Sequence, residues 1–316
     1  MYFTSPPPNG DLLALFCKKS MMRNQGNLGT TVYSFDQLIE QQEEHIEFLE
    51  RQTKQIFSIE GALEKKMYGI GTGELVVVAA PPAMGKRAFA LYLISKLSPP
   101  TSESAIGIRY FSLEHSAADL FRLILSNHTG YNRSKLAKMM TDPTENERLN
   151  TIYTNLKSKH HFVIDEDRFA DFLDLALRMK HDQFMHQNKI VIIDYLQLLG
   201  QCRNSILETN LCLKQLKLIA EEFQIIIILL SEISRSIETK KDRIPVLTNL
   251  LELGQFDQYA DKIFMLHRPG YYGFGKTDDE LFSPQLMKVF GFNKTNHTNF
   301  SVKMHYEWLV NRVVDL

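Results

Sequence analysis

The sequence predicts an α/β domain: a mostly parallel sheet with helices on both faces, an N-terminal linker helix and a C-terminal hairpin. Three observations carry this. Six short runs are apolar along nearly their whole length, as strands buried on both faces must be. Amphipathic segments of helical period separate these runs. The bulk values are those of a globular protein: 316 residues, 44% hydrophobic and 23% charged.

The elements follow in chain order. Residues 1–32 read as a flexible segment, with Pro6-Pro7-Pro8, Asn9-Gly10, Gly26 and Gly29. Leu12, Leu13, Leu15 and Phe16 interrupt it as a short docking stretch. Residues 33–57 read as the linker helix, with Ser34 as its N-cap. Phe35, Leu38, Ile39, Ile46 and Leu49 share one face of it. That face packs either on its own domain or on a neighbouring subunit. The remaining chain, 58–316, forms the main domain. Its strands are expected at 74–80, 106–112, 162–165, 189–194, 224–231 and 262–267. Helices are expected at 87–97, 117–127, 145–157, 169–181 and 206–223. Strands at 285–290 and 300–308 complete the hairpin.

Charge and cysteine usage narrow the function classes. Thirty-six Lys and Arg oppose 37 Asp and Glu, a net charge of −1. No global basic field draws the chain to nucleic acid or membrane, so DNA contact rests on a local patch. Cys17, Cys202 and Cys212 are three, without CxxC spacing, which argues against a disulfide framework or a zinc site. The longest apolar run, 225–230, is far short of the about 20 residues of a membrane span. The N-terminus lacks a secretion signal, and a cytoplasmic protein is expected.

The chemistry concentrates after the first strand. The run from Glu74 through Ala80-Pro81-Pro82-Ala83-Met84-Gly85-Lys86-Arg87 reads as strand, tight loop and helix start. Backbone N–H groups and the helix dipole there face an anion, and Lys86 adds charge. Against the pattern G-x-x-x-x-G-K-[ST], Ala80 stands for the first Gly and Arg87 for the hydroxyl that ligates Mg²⁺. Pro81 and Pro82 remove two N–H donors. Val191-Ile192-Ile193-Asp194 is a strand ending in a carboxylate, as in a Walker B motif. Glu114 follows the strand Tyr110-Phe111-Ser112, where a carboxylate polarises an attacking water. Weaker candidates are His160-His161, read as surface or turn residues, and Tyr271-Tyr272, read as a flexible or base-stacking loop.

The runs GIGTGELVVVAAPPAMGKRAFAL, RYFSLEHS, VIIDYLQLL, LLSEISRSIE and LLELGQFDQYADKIFMLHR resemble the RecA-like motor domain of DnaB-type replicative DNA helicases. The resemblance covers roughly 55–310 and implies a RecA-like P-loop NTPase fold. It implies an ATP-driven hexameric ring on single-stranded DNA, with ATP and Mg²⁺ as cofactors. By that resemblance Lys86 grips phosphates, Asp194 holds Mg²⁺, Glu114 activates water, Met84 and Gly85 shape the loop, and Arg268 lies near the nucleotide. The helix at 33–57 falls where the family docks one protomer on the next.

The departures are as specific. Arg87 replaces a Thr or Ser, and Glu232 a Gln that resembles a γ-phosphate sensor. Phe292 stands where the family has a cation, which leaves Lys294 as the only finger toward a neighbour's site. In Leu251-Glu252-Leu253-Gly254 the family's DNA-contacting Arg has become Leu251, with Glu252 and Gly254 kept. Arg203, Lys240, Lys241 and Arg243 form the best remaining basic patch. A missing arginine finger alone costs roughly 10³–10⁵ in rate. The expectation is a helicase-like protein of reduced or lost ATPase activity, assembling on itself or on a replicative helicase or other replication protein. A working helicase and a non-enzymatic scaffold are the alternatives.

Overall fold

The structure, a computed structural model, describes residues 54–98, 105–167, 175–176, 178–179, 189–199, 205–233, 237, 243–272, 285–294 and 297–316. The chain opens with β1 (Ile56–Ile59), β2 (Ile70–Gly71) and β3 (Leu75–Ala80), then α1 (Lys86–Lys96) and β4 (Leu97–Ser98). Next come β5 (Ile106–Ser112), α2 (Ala117–Thr129), α3 (Arg133–Thr141), α4 (Asn146–Lys159) and β6 (His160–Asp165). The central part holds β7 (Ile190–Asp194), α5 (Ile206–Phe223) and β8 (Ile226–Glu232). The last part holds α6 (Leu247–Leu251), α7 (Phe256–Tyr259), β9 (Lys262–His267), β10 (Gln285–Asn293), β11 (Thr298–Glu307) and β12 (Arg312–Asp315).

Nine strands form the main sheet in the order β12-β11-β10-β9-β3-β8-β7-β5-β6. From β9 to β6 neighbouring strands run parallel, and β10, β11 and β12 extend the sheet antiparallel. Every residue of β3, β7 and β9 is buried, which is why these runs show no alternation. Phe89 of α1 packs edge-on against Phe264 of β9 at 5.3 Å between ring centroids, and Tyr92 follows it one turn on. The amino end of the sheet is closed by ion pairs, Lys262 with Glu74 and Lys217 with Asp261 at 2.8 Å. The carboxyl ends of β3, β5, β7 and β8 are left for the site.

Most expected elements appear within a residue or two of their predicted bounds. The expected helix over 169–181 falls largely outside the described residues, though 175–176 and 178–179 are helical. Besides α3, α6, α7 and β12, which were not expected, three features differ. The linker helix was expected to reach 57, but Lys54 and Gln55 are irregular and Ile56 and Phe57 belong to β1. The rest of that helix, and the segment 1–32, lie outside the described residues. A second sheet, β2-β1-β4, was not expected, because β2 and β4 are two residues each and carry no periodicity. Asp315 of β12 seals this corner: it accepts from the Ala62 N–H at 3.0 Å and pairs with Lys96 at 2.7 Å. Third, Cys212 in α5 is disulfide-bonded and buried, against the expectation from cysteine count. Among the described residues no helix is long and apolar enough to cross a membrane.

Candidate functional site

β3 delivers the chain at Ala80 into a loop that turns back as α1. Ala83 and Gly85 take positive φ, 63° and 93°. At Gly85 a side chain is excluded twice: by that φ, and because a Cβ would lie 2.9 Å from the Tyr306 ring and 3.0 Å from Met287. Gly85 also caps α1 without a side-chain hydrogen bond, so the first N–H groups of the helix remain free to face an anion. Met84 turns into the core, 1% exposed, and shapes the loop by packing rather than by facing the cleft.

Sheet register brings the charged residues together. β3 and β8 pair with Ala80 opposite Glu232. β5 and β7 pair with Ser112 opposite Asp194. Because β8 lies between β3 and β7, the first turn of α1 looks across β8 at both acidic strand ends. The Lys86 ammonium donates to the Ala80 carbonyl at 3.2 Å and pairs with Glu232 at 3.3 Å. Arg87 reaches further. Its Nε donates to Asp194 Oδ2 and its Nη2 to Glu114 Oε2, so one guanidinium spans both carboxylates. Tyr110 donates to the same Asp194 oxygen at 2.9 Å. The cleft has a volume of about 220 Å³, and its charged lining is Lys86, Arg87, Glu114, Asp194 and Glu232.

The electrostatics follow from burial and pairing. Burial lowers the Lys86 pKa below its ordinary value, with Glu232 opposing the shift. Burial disfavours charge on Arg87 too, but Asp194, followed by Tyr110 and Glu114, raises its pKa on balance. Burial and the adjacent Asp194 raise Tyr110 well above the usual phenol value, so it serves as a donor.

The other expected residues divide. Arg268, 5% exposed, donates to the Ala83 carbonyl at 2.7 Å and stacks 3.8 Å over the Tyr306 ring. It braces the loop from behind, and burial lowers its pKa. Lys294 follows β10 at the opposite end of β9 from this chain's cleft and donates to the Gln258 carbonyl. Phe292 sits between Ile263 and Asn299 in the sheet. Arg243 stacks on Tyr272, 4.8 Å to the ring centroid. Glu252 is exposed at the end of α6, and Gly254 is buried beside α5. Arg203, Lys240 and Lys241 lie outside the described residues.

The family described as DnaB-like helicase C-terminal domain matches residues 58–314. The chain belongs to this family. A probable plasmid replicative DNA helicase of Chlamydia psittaci is 33% identical over 64% of this chain and 44% of that protein. A probable replicative DNA helicase of Trieres chinensis is 32% identical over 69% of this chain and 48% of that protein. The DnaB-like chain thus spans less than half the length of these curated relatives. One solved ATPase domain superposes with a TM-score of 0.68 at 22% identity, covering 90% of this chain and 99% of that one. A DnaB-like replicative helicase solved with its primase interactions gives the same TM-score and identity, covering 95% of this chain and 71% of that one. The RecA-like fold expected from the sequence is therefore the fold of this DnaB-like domain.

A divalent metal does not fit the carboxylates as they stand. Arg87 already takes an oxygen of each, and nothing at its position offers a ligating oxygen. The loop is less altered: its Gly85 turn and uncapped helix start keep the shape of a phosphate cradle.

Sequence reasoning missed four residues here. Gln197 donates to the Glu232 carbonyl at 3.1 Å and accepts from its N–H at 3.1 Å, fixing the end of β8. Its place in the run IDYLQL is the one signal that pointed to it. Tyr110 is the hydrogen-bond partner of Asp194 described above. Tyr306 and Asn311 line the cleft from β11 and the turn after it, joined by a hydrogen bond from the Tyr306 hydroxyl. Contacts between residues as distant in the chain as Tyr110 and Asp194, or Gly85 and Tyr306, leave no trace in local pattern.

Proposed function

We propose that this chain is a DnaB-helicase-like protein of DNA replication or mobile-element DNA processing that hydrolyses ATP very slowly or not at all. One observation carries the reading: Arg87 spans Glu114 and Asp194, the two carboxylates a hydrolysing site needs free. Charge supports it. Two cations of the cleft face three carboxylates, so a polyphosphate enters a lining with no positive surplus. The plasmid helicase among its relatives supports the mobile-element side.

In this reading the protein works in the cytoplasm by assembly. It joins copies of itself into a ring, or joins an active replicative helicase or another replication protein. Single-stranded DNA is held weakly and salt-dependently, through Arg203, Lys240, Lys241 and Arg243 pooled around a ring. Lys86 then meets phosphates, and ATP with Mg²⁺ is at most a poorly held ligand pair. A second reading, a working ATP-dependent translocase, is favoured by Gly85, Lys86, Glu114 and Asp194 all standing around one cleft. Phosphate release with Mg²⁺ and single-stranded DNA, measured beside the solution mass of the full chain, separates the two. Background release supports the first reading, and a hydrolysing hexamer the second.

A further inference from the structure

Arg87 does more than remove a hydroxyl. Its two donors, Nε and Nη2, belong to one planar guanidinium, and they meet carboxylates at the ends of adjacent strands β5 and β7. Asp194 is 2% exposed, and its Oδ2 also accepts from Tyr110 at 2.9 Å. One oxygen of each carboxylate is thus held by protein donors, and the guanidinium charge stands between the two groups. A divalent cation placed between the two carboxylates must displace that guanidinium. It also meets a guanidinium that does not lose its proton. Among the described residues no group of three or more His, Cys, Asp or Glu could hold a metal ion instead.

We propose that the Arg87 guanidinium is the permanent counter-cation of this cleft. It takes the place of a divalent metal between Glu114 and Asp194, so the protein binds no magnesium there, with or without nucleotide. The same two ion pairs tie the start of α1 to the ends of β5 and β7 with no ligand present. This rests on the slow-hydrolysis reading and gives it a cause in metal exclusion.

The test counts Mn²⁺, a spin-active stand-in for Mg²⁺, on the full chain by electron paramagnetic resonance, with and without ADP. The unmodified protein is expected to hold no Mn²⁺ at micromolar metal. Arg87→Thr frees both carboxylates and adds a hydroxyl, so a bound Mn²⁺ is expected on each chain. Circular dichroism checks that the variant folds. Arg87→Gln, closer in length, takes its place if it does not. Thermal melting supplies a second reading: Mg²⁺ leaves the unmodified midpoint in place and raises that of the variant. A tight Mn²⁺ on the unmodified protein overturns the proposal. So does a folded variant that holds none, because something other than Arg87 then keeps the metal out. Phosphate release on the same samples keeps the two claims apart. Mn²⁺ bound to the unmodified chain without turnover defeats metal exclusion alone, whereas Mg²⁺-dependent turnover defeats the slow-hydrolysis reading as well.

Discussion

Lys86 reaches the cleft with its charge already engaged by Glu232 at 3.3 Å, and burial has lowered its pKa. A phosphate must win that ammonium from a carboxylate and then sit beside the anion it displaced. Glu232→Gln removes the competitor and keeps the shape. Nucleotide affinity is expected to rise roughly tenfold, about 1.4 kcal/mol, in a titration with a fluorescent nucleotide. The Glu232 side chain is 34% exposed, so the exchange costs little stability. Arg87→Ala acts in the opposite sense. It leaves Asp194, 2% exposed, with the Tyr110 hydrogen bond but without the guanidinium that pairs with its charge. Stability is expected to fall by about 1–3 kcal/mol, read from urea unfolding of the two proteins. Arg87 was visible in the sequence as a missing hydroxyl. Its pairing with both carboxylates was not, because that depends on β8 lying between β3 and β7, and strand order in a sheet is not written in chain order.

β6 begins at His160, which the sequence suggested as a surface or turn residue. Burial instead holds its pKa down at about 4, with His128 and Lys159 also disfavouring the cation. The unfolded chain binds this proton near pH 6.5, so between the two values it carries more charge than the fold allows. Stability is therefore complete above about pH 6.5 and is lost as pH falls toward 4. His160→Gln is expected to flatten that acid limb in urea midpoints measured across the range. At the scale of elements the sequence was informative where the physics is local. Fully buried strands such as β3 and β9, and the capped α5 with Ser205 at its start, stand within a residue of expectation. The two-residue strands β2 and β4 were illegible, since nothing shorter than a period can show one. β12 was missed for a related reason: its place is set by Asp315 meeting Ala62 and Lys96, far away in the chain.

The whole molecule divides at Thr53, and residues from Lys54 onward form one compact unit with its own core. Deleting 1–53 is therefore expected to leave the domain folded, with a single cooperative unfolding transition by circular dichroism. If the segment before Lys54 joins subunits, as we propose, the same deletion turns an oligomer into a monomer by light scattering. A full chain already monomeric at micromolar concentration removes that role. The sheet gathers its ion pairs at both ends: those at the amino end close the fold, and those at the carboxyl end occupy the cleft. The account turns on the second set. A crystal structure of the full chain grown with nucleotide and saturating Mg²⁺ tests it most directly. We predict Arg87 still bridging Glu114 and Asp194, with no metal between them. An Arg87 turned out of the cleft, and a magnesium ion held by Asp194, would contradict the account.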